Sequence, residues 1–238
     1  MPAGVAASDF YYILPELVLT AGALLVLVAD VLLPRERRGA LAWVTLGVLG
    51  ATALALLPFG SVQVEVAHGL IAVDRFALFF KIVFLVAAAF TVLMSVRYLE
   101  VEGVASPGEY YFLILCCTLG MMIMAGGIDL ITIFIGLETM AVSFYILTGF
   151  IKPSQRSNEA AMKYFLLGAF SLGILLYGMS LLYGLSGSTN LRPIATALVG
   201  QEHDPRLVLA VILVVAGVGF KIAAVPFHMW APDVYEGA

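Results

Sequence analysis

Charge is what this sequence has least of. Asp, Glu, Lys and Arg make up 12% of its 238 residues, about half of the roughly 25% usual in soluble domains. The 12 basic residues are scattered and the net charge is −4, so there is no basic track for a nucleic-acid backbone, and nucleic acid is excluded as a partner. Cysteine is almost missing too. Cys116 and Cys117 are adjacent in an apolar run, which suits neither a disulfide between elements nor a zinc or iron–sulfur site built from spaced thiolates. His68, His203 and His228 lie far apart, so no metal site is expected. Glycine is not scarce, but the GxG of Gly217 and Gly219 extends to neither a GxGxxG fingerprint nor a Walker lysine. No flavin, nicotinamide or iron–sulfur cofactor is expected in this chain.

Hydrophobic residues fill the space: they make up 62% of the chain, with a mean hydropathy of +1.05. They fall into runs of about 20 residues, long enough to cross a hydrocarbon layer of roughly 30 Å. Backbone in lipid must bond to itself, and runs without two-residue alternation choose helices over a barrel. The fold class is therefore an all-α polytopic membrane protein with seven transmembrane helices, over residues 13–33, 41–57, 74–98, 110–125, 128–150, 158–183 and 207–225. Pro226 should kink or break the seventh. The first run follows Asp9 and Glu16 with no Lys or Arg before it, so it reads as a retained helix and not a signal peptide.

Between the second and third helices, SVQVEVAHGLIAV (61–73) alternates polar and apolar residues, the signal of a strand or small hairpin outside the hydrocarbon. Asp74 and Asp129 are placed to cap the third and fifth helices, and Ser157 or Asn158, with Glu159 nearby, the sixth. Lys81, two turns into the third helix, is expected to snorkel to the interface. Trp230, Tyr235 and His228 are expected to anchor the interface. Gly168, Gly173 and Gly178 give the sixth helix places for close approach. Connections 1–2, 3–4 and 5–6 hold Arg35, Arg37, Arg38, Arg97, Lys152 and Arg156, against Arg75, Arg192 and Arg206 on the other side. The excess marks the cytoplasmic side, which puts the N-terminus in the periplasm and residue 238 in the cytoplasm.

Three charges interrupt the apolar helices: Glu138 in the fifth, Lys163 in the sixth and Lys221 in the seventh. A charge at the bilayer centre costs about 2.5 kcal/mol or more unless it is compensated. At 1.5 Å per residue, Glu138 lies roughly 14 Å past Asp129 and Lys221 roughly 21 Å past Leu207, with Lys163 near the depth of Lys221. An acid and a lysine that face one another share charge and titrate as a unit. Two readings follow: a pair that locks helices together, or a proton relay. The break at Pro226 favours the relay, because unwound backbone must meet water or polar side chains. His228 is a possible further member.

The stretches LETMAVSFYIL around Glu138, EAAMKYFLLGAFSLGILLYG around Lys163 and GFKIAAVPFHMWAPDVYEGA around Lys221 closely resemble the antiporter-like subunit N family of the bacterial proton-translocating NADH:quinone oxidoreductase, respiratory complex I. The resemblance implies fourteen helices with two inverted five-helix repeats. Residues 1–109 would be helices 1 to 3, with the hairpin at 61–73, and 110–238 helices 4 to 7 of the first repeat, without its helix 8. It also implies that Glu138 and Lys221 are the charged pair of a proton half-channel, with Lys163 near them. The chain would serve as a translocase subunit without a redox site. Its partners would be the lipid bilayer, neighbouring antiporter-like and small membrane subunits and, indirectly, quinone, in the bacterial inner membrane. A subunit of a multi-subunit Na⁺/H⁺ antiporter and a structural membrane scaffold are the alternatives.

Overall fold

A computed structural model describes residues 7–104 and 106–238. It divides into two compact units, Met1–Ile128 with Thr132–Phe144, and Asp129–Ile131 with Tyr145–Ala238.

In the first unit a short helix α1 (Ala7–Tyr12) leads into α2 (Leu14–Leu32), α3 (Leu41–Leu56), α4 (Arg75–Val101) and α5 (Pro107–Gly126). α2 packs on α3 and α5, and α4 packs on the same two helices. The starts follow local chemistry. Pro15 sits in the first turn of α2 and Pro107 opens α5, where a missing N–H is harmless. Asp74 caps α4 by accepting from the Ala77 N–H at 2.7 Å.

The expected hairpin is present as β1 (Val64–Val66) and β2 (Ile71–Val73), antiparallel with Val64 opposite Val73. It turns through Ala67, His68 and Gly69, all at positive φ. Val66 and Val73 are buried on Phe59, with Tyr12 and Ile13 packed against them, so the hairpin roofs one end of this unit. At the opposite end Asp30 is buried, accepting from the Gly108 N–H at 3.3 Å with the Arg38 guanidinium 3.8 Å away.

α6 (Leu130–Thr148) gives its middle to the first unit and its ends to the second. It crosses α5 closely at Gly120 and Gly136, where a Cβ on Gly120 would lie 2.5 Å from both Gly136 O and Met140 N. The second unit holds α7 (Gln155–Ser186), α8 (Leu191–Ala197), α9 (Pro205–Lys221) and α10 (Trp230–Gly237), with α9 and α10 packed on α7. Gly178 lets α7 approach the α9 backbone at Val214 N, and Gly217 lets α9 approach Leu175.

Three expectations change. Among the described residues six helices, not seven, are long and apolar enough to cross a membrane. α9, the seventh expected span, has 17 residues and stops at Lys221. Pro226 explains the early stop, because its ring would collide with the carbonyl of residue 222 in a continuing helix and it disfavours helical backbone at residue 225. The start of α7 also moves: Ser154 caps it, accepting from the Ser157 N–H at 3.3 Å. Ser157 and Asn158 lie inside its first turn, donating instead to Thr148 O and Lys152 O. Lys81 does not snorkel. It is 3% exposed and pairs with Glu16 at 2.6 Å, because the ion pair satisfies inside the unit what the headgroup region would otherwise satisfy.

Candidate functional site

Lys221 is the last residue of α9. The helix closes on a Schellman pattern: Ala223 N–H donates to Phe220 O at 3.0 Å and Ala224 N–H to Gly219 O at 2.8 Å, with Ala223 in the left-handed region at φ 50. Glycine is the usual residue there. Side chains add to this pattern: the Trp230 indole N–H also donates to Phe220 O at 3.0 Å, and the Ser171 hydroxyl donates to Gly217 O at 3.2 Å. A lysine at a helix C-terminus lies at the negative end of the helix dipole, which favours its positive charge.

The ammonium of Lys221 donates to the Tyr145 hydroxyl at 2.8 Å and lies 5.3 Å from that ring's centroid. Tyr145 is buried, and it reaches Lys221 across a gap left by Gly168, where a Cβ would fall on the phenol oxygen. Tyr164 meets Tyr145 edge-on at 4.7 Å, and Trp230 stacks on Tyr164 at 4.7 Å and on Phe220 at 5.2 Å. The lysine therefore sits at a helix end beside aromatic rings, with the Tyr145 hydroxyl in reach. Trp230, expected at the interface, is 8% exposed and joins these rings, because its N–H finds the Phe220 carbonyl at the end of α9. Tyr235 is exposed, as expected.

Lys163 lies on the exposed side of α7. It forms ion pairs with Glu159 at 2.7 Å, one turn earlier, and with Asp233 of α10 at 2.9 Å. Arg156 pairs with Glu236 beside it. These residues line an open pocket of about 220 Å³. His228 is exposed in the segment between α9 and α10.

Glu138 is half-buried in the middle of α6. The start of that helix is fixed from the second unit: Asp129 caps it by accepting from the Ile131 N–H at 2.8 Å, and Thr189 donates to the other Asp129 oxygen at 2.6 Å. Tyr145 is seven residues, or two turns, further along the same helix, a rise of about 10 Å.

Sequence reasoning missed Tyr145, which had no separate signal inside the apolar SFYIL run. The absence of a side chain at Gly168 was the available clue, since a glycine inside a helix often marks the place that a neighbour fills. The second omission is the Glu16–Lys81 pair. One acid in the first turn of α2 and one lysine two turns into α4 lie at similar depth on helices that run the same way. Among the described residues no group of three or more His, Cys, Asp or Glu side chains is placed to hold a metal ion.

Residues 127–238 match the family model described as NADH:quinone oxidoreductase/Mrp antiporter, TM. The chain is 47% identical to NADH-quinone oxidoreductase subunit N 2 of Rhizobium meliloti over 94% of its own length and 47% of that protein's. A chain of respiratory complex I from Thermus thermophilus superposes with a TM-score of 0.76 at 30% identity, covering 93% of this chain and 47% of that one. A chain of the Mrp complex from a Dietzia species shares the fold, with a TM-score of 0.69 at 24% identity over 96% of this chain and 43% of that one. The chain thus spans about half the length of the curated relatives it matches.

Proposed function

On the premise that the chain belongs to the antiporter-like membrane-subunit family of NADH:quinone oxidoreductase, in the subunit N branch, we propose that it carries protons through a Glu138, Lys221 and Lys163 relay, driven by quinone reduction elsewhere in the complex. The observation that carries this reading is Lys221 at the broken end of α9, with its ammonium on a tyrosine hydroxyl. A tyrosine hydroxyl both accepts and donates, so it offers a proton on Lys221 a hydrogen-bonded step to a neighbouring group.

Lys163 is the entry on the α10 side, where Glu159 and Asp233 hold it beside an open pocket, and His228 is an accessory member. Residues 110–238 act as four helices of a five-helix repeat, which adjoining segments and subunits complete. The subunit sits in the bacterial inner membrane with its N-terminus periplasmic. Neighbouring antiporter-like and small membrane subunits flank it, and quinone acts on it only through them.

The test uses the assembled complex in liposomes. Glu138→Gln and Lys221→Ala are each expected to lower the proton-pumping rate by about tenfold or more, with the complex still assembled, and Lys163→Ala is expected to lower it less. Normal pumping with both of the first two substitutions in place would sink the relay. The Mrp antiporter reading predicts instead that transport depends on a sodium gradient, and pumping that is indifferent to sodium removes it.

A further inference from the structure

The first unit holds a second acid–lysine pair, which the relay does not use. Glu16 stands in the first turn of α2 and Lys81 two turns into α4, both at the hairpin end of the unit. Their Nζ–Oε1 distance is 2.6 Å and the Lys81 side chain is 4% exposed. The other carboxylate oxygen, Glu16 Oε2, is buried and receives no hydrogen bond, although an ionised carboxylate accepts at both oxygens. A cavity of about 10 Å³ lies against Lys81, bounded by Tyr12, Phe59, Val73 and Asp74. That is the space of a single water molecule. Backbone also comes close to the lysine, since a Cβ on Gly126 would lie 3.0 Å from Ala72 O and 3.9 Å from Lys81 Nζ.

We propose that Glu16 and Lys81, with one water in that cavity, form a second proton-exchange site at the hairpin face, outside the Glu138–Lys221 relay. A pair that only fastened α2 to α4 would have both acid oxygens satisfied and no space beside the lysine. Here the short bond lets a proton pass from the Lys81 ammonium to the Glu16 carboxylate, leaving a neutral amine and a neutral acid. The water in the cavity then gives a proton to the amine and takes the acid's proton in its place, so the pair returns to its charged form and one proton enters for each that leaves. Among the described residues, the ionisable groups that line the cavity besides Lys81 are Tyr12 from α1 and Asp74 at the start of α4, while β2 contributes Val73, and Gly126 of α5 lies near the Lys81 ammonium.

This inference rests on the proton-carrying reading, and its test separates the two. The complete complex is reconstituted in liposomes as wild type, as Glu16→Gln, as the double variant Glu16→Leu with Lys81→Met, and as Lys221→Ala. The double variant keeps the volume apolar, an exchange that buried ion pairs often tolerate. Quinone reduction in the presence of an ionophore is expected to be unchanged in the double variant, while its initial pumping rate falls several-fold. The infrared difference between wild type and Glu16→Gln is expected to contain a protonated-carboxyl band that changes with pH. Wild-type pumping in the double variant, or a Glu16 signal that stays ionised at every pH, overturns the proposal. The infrared measurement stands even if the double variant fails to assemble. Loss of pumping in Lys221→Ala alone leaves the relay standing and removes this site; normal pumping in Lys221→Ala removes the relay.

Discussion

Lys221 has a hydroxyl acceptor because residue 168 has no side chain. The Tyr145 ring occupies the place that a Cβ on α7 would take, so glycine, tyrosine and lysine form one device spread over three helices. Tyr145→Phe removes the acceptor and keeps the ring. Hydrogen bonds to charged groups contribute about 1.5–3 kcal/mol, so this variant is expected to slow pumping by about tenfold. Gly168→Ala pushes the ring away from Lys221 and is expected to slow pumping to a similar degree. The two together should be no worse than either alone, since both act through the same contact. Pumping rates of the three variants in liposomes check this, and additive losses would show that Tyr145 acts elsewhere.

Helix ends and helix crossings position these side chains. α5 and α6 approach through backbone at Gly120 and Gly136, so Gly120→Ala must separate the helices and is expected to destabilise by about 1–3 kcal/mol. Gly173→Ala on α7 meets nothing within 4 Å and is expected to be neutral or to stabilise by about 0.5–1 kcal/mol. Thermal unfolding of the purified complex checks both; a lower Tm for Gly173→Ala than for Gly120→Ala would contradict the crossing. The existence of these helices was legible in the sequence, because apolar length and flanking Pro, Gly and Asp are local signals. Asp74, Asp129 and the hairpin at 61–73 were legible for the same reason. The end of α9 was not, since Pro226 acts four residues upstream, on the carbonyl of Ile222, and the helix closes on Ala223, where no glycine announces a cap. Pairings between helices were also hidden. Lys81 looked like a snorkelling lysine because its compensation, Glu16, lies 65 positions away in the chain, and a polar side chain on one helix says nothing about what the next helix brings to it.

At the scale of the molecule, what remains is which way the chain faces. The hairpin ends of α2 and α4 carry few basic residues, while the connection after α2 carries Arg37 and Arg38 and the one before α7 carries Lys152. Basic residues near helix ends are retained on the cytoplasmic side, so the hairpin, and with it the Glu16–Lys81 pair, is expected on the periplasmic side. Gln63 in the hairpin and Arg37 after α2 are both exposed, so cysteine can replace either without disturbing packing. With a membrane-impermeant maleimide, Gln63→Cys is expected to label in intact spheroplasts and Arg37→Cys only after lysis. Cys116 and Cys117 lie half-buried and buried in α5, so the parent chain supplies a low background. The opposite labelling pattern would reverse the orientation. The proposed Glu16–Lys81 site would then exchange protons with the cytoplasm.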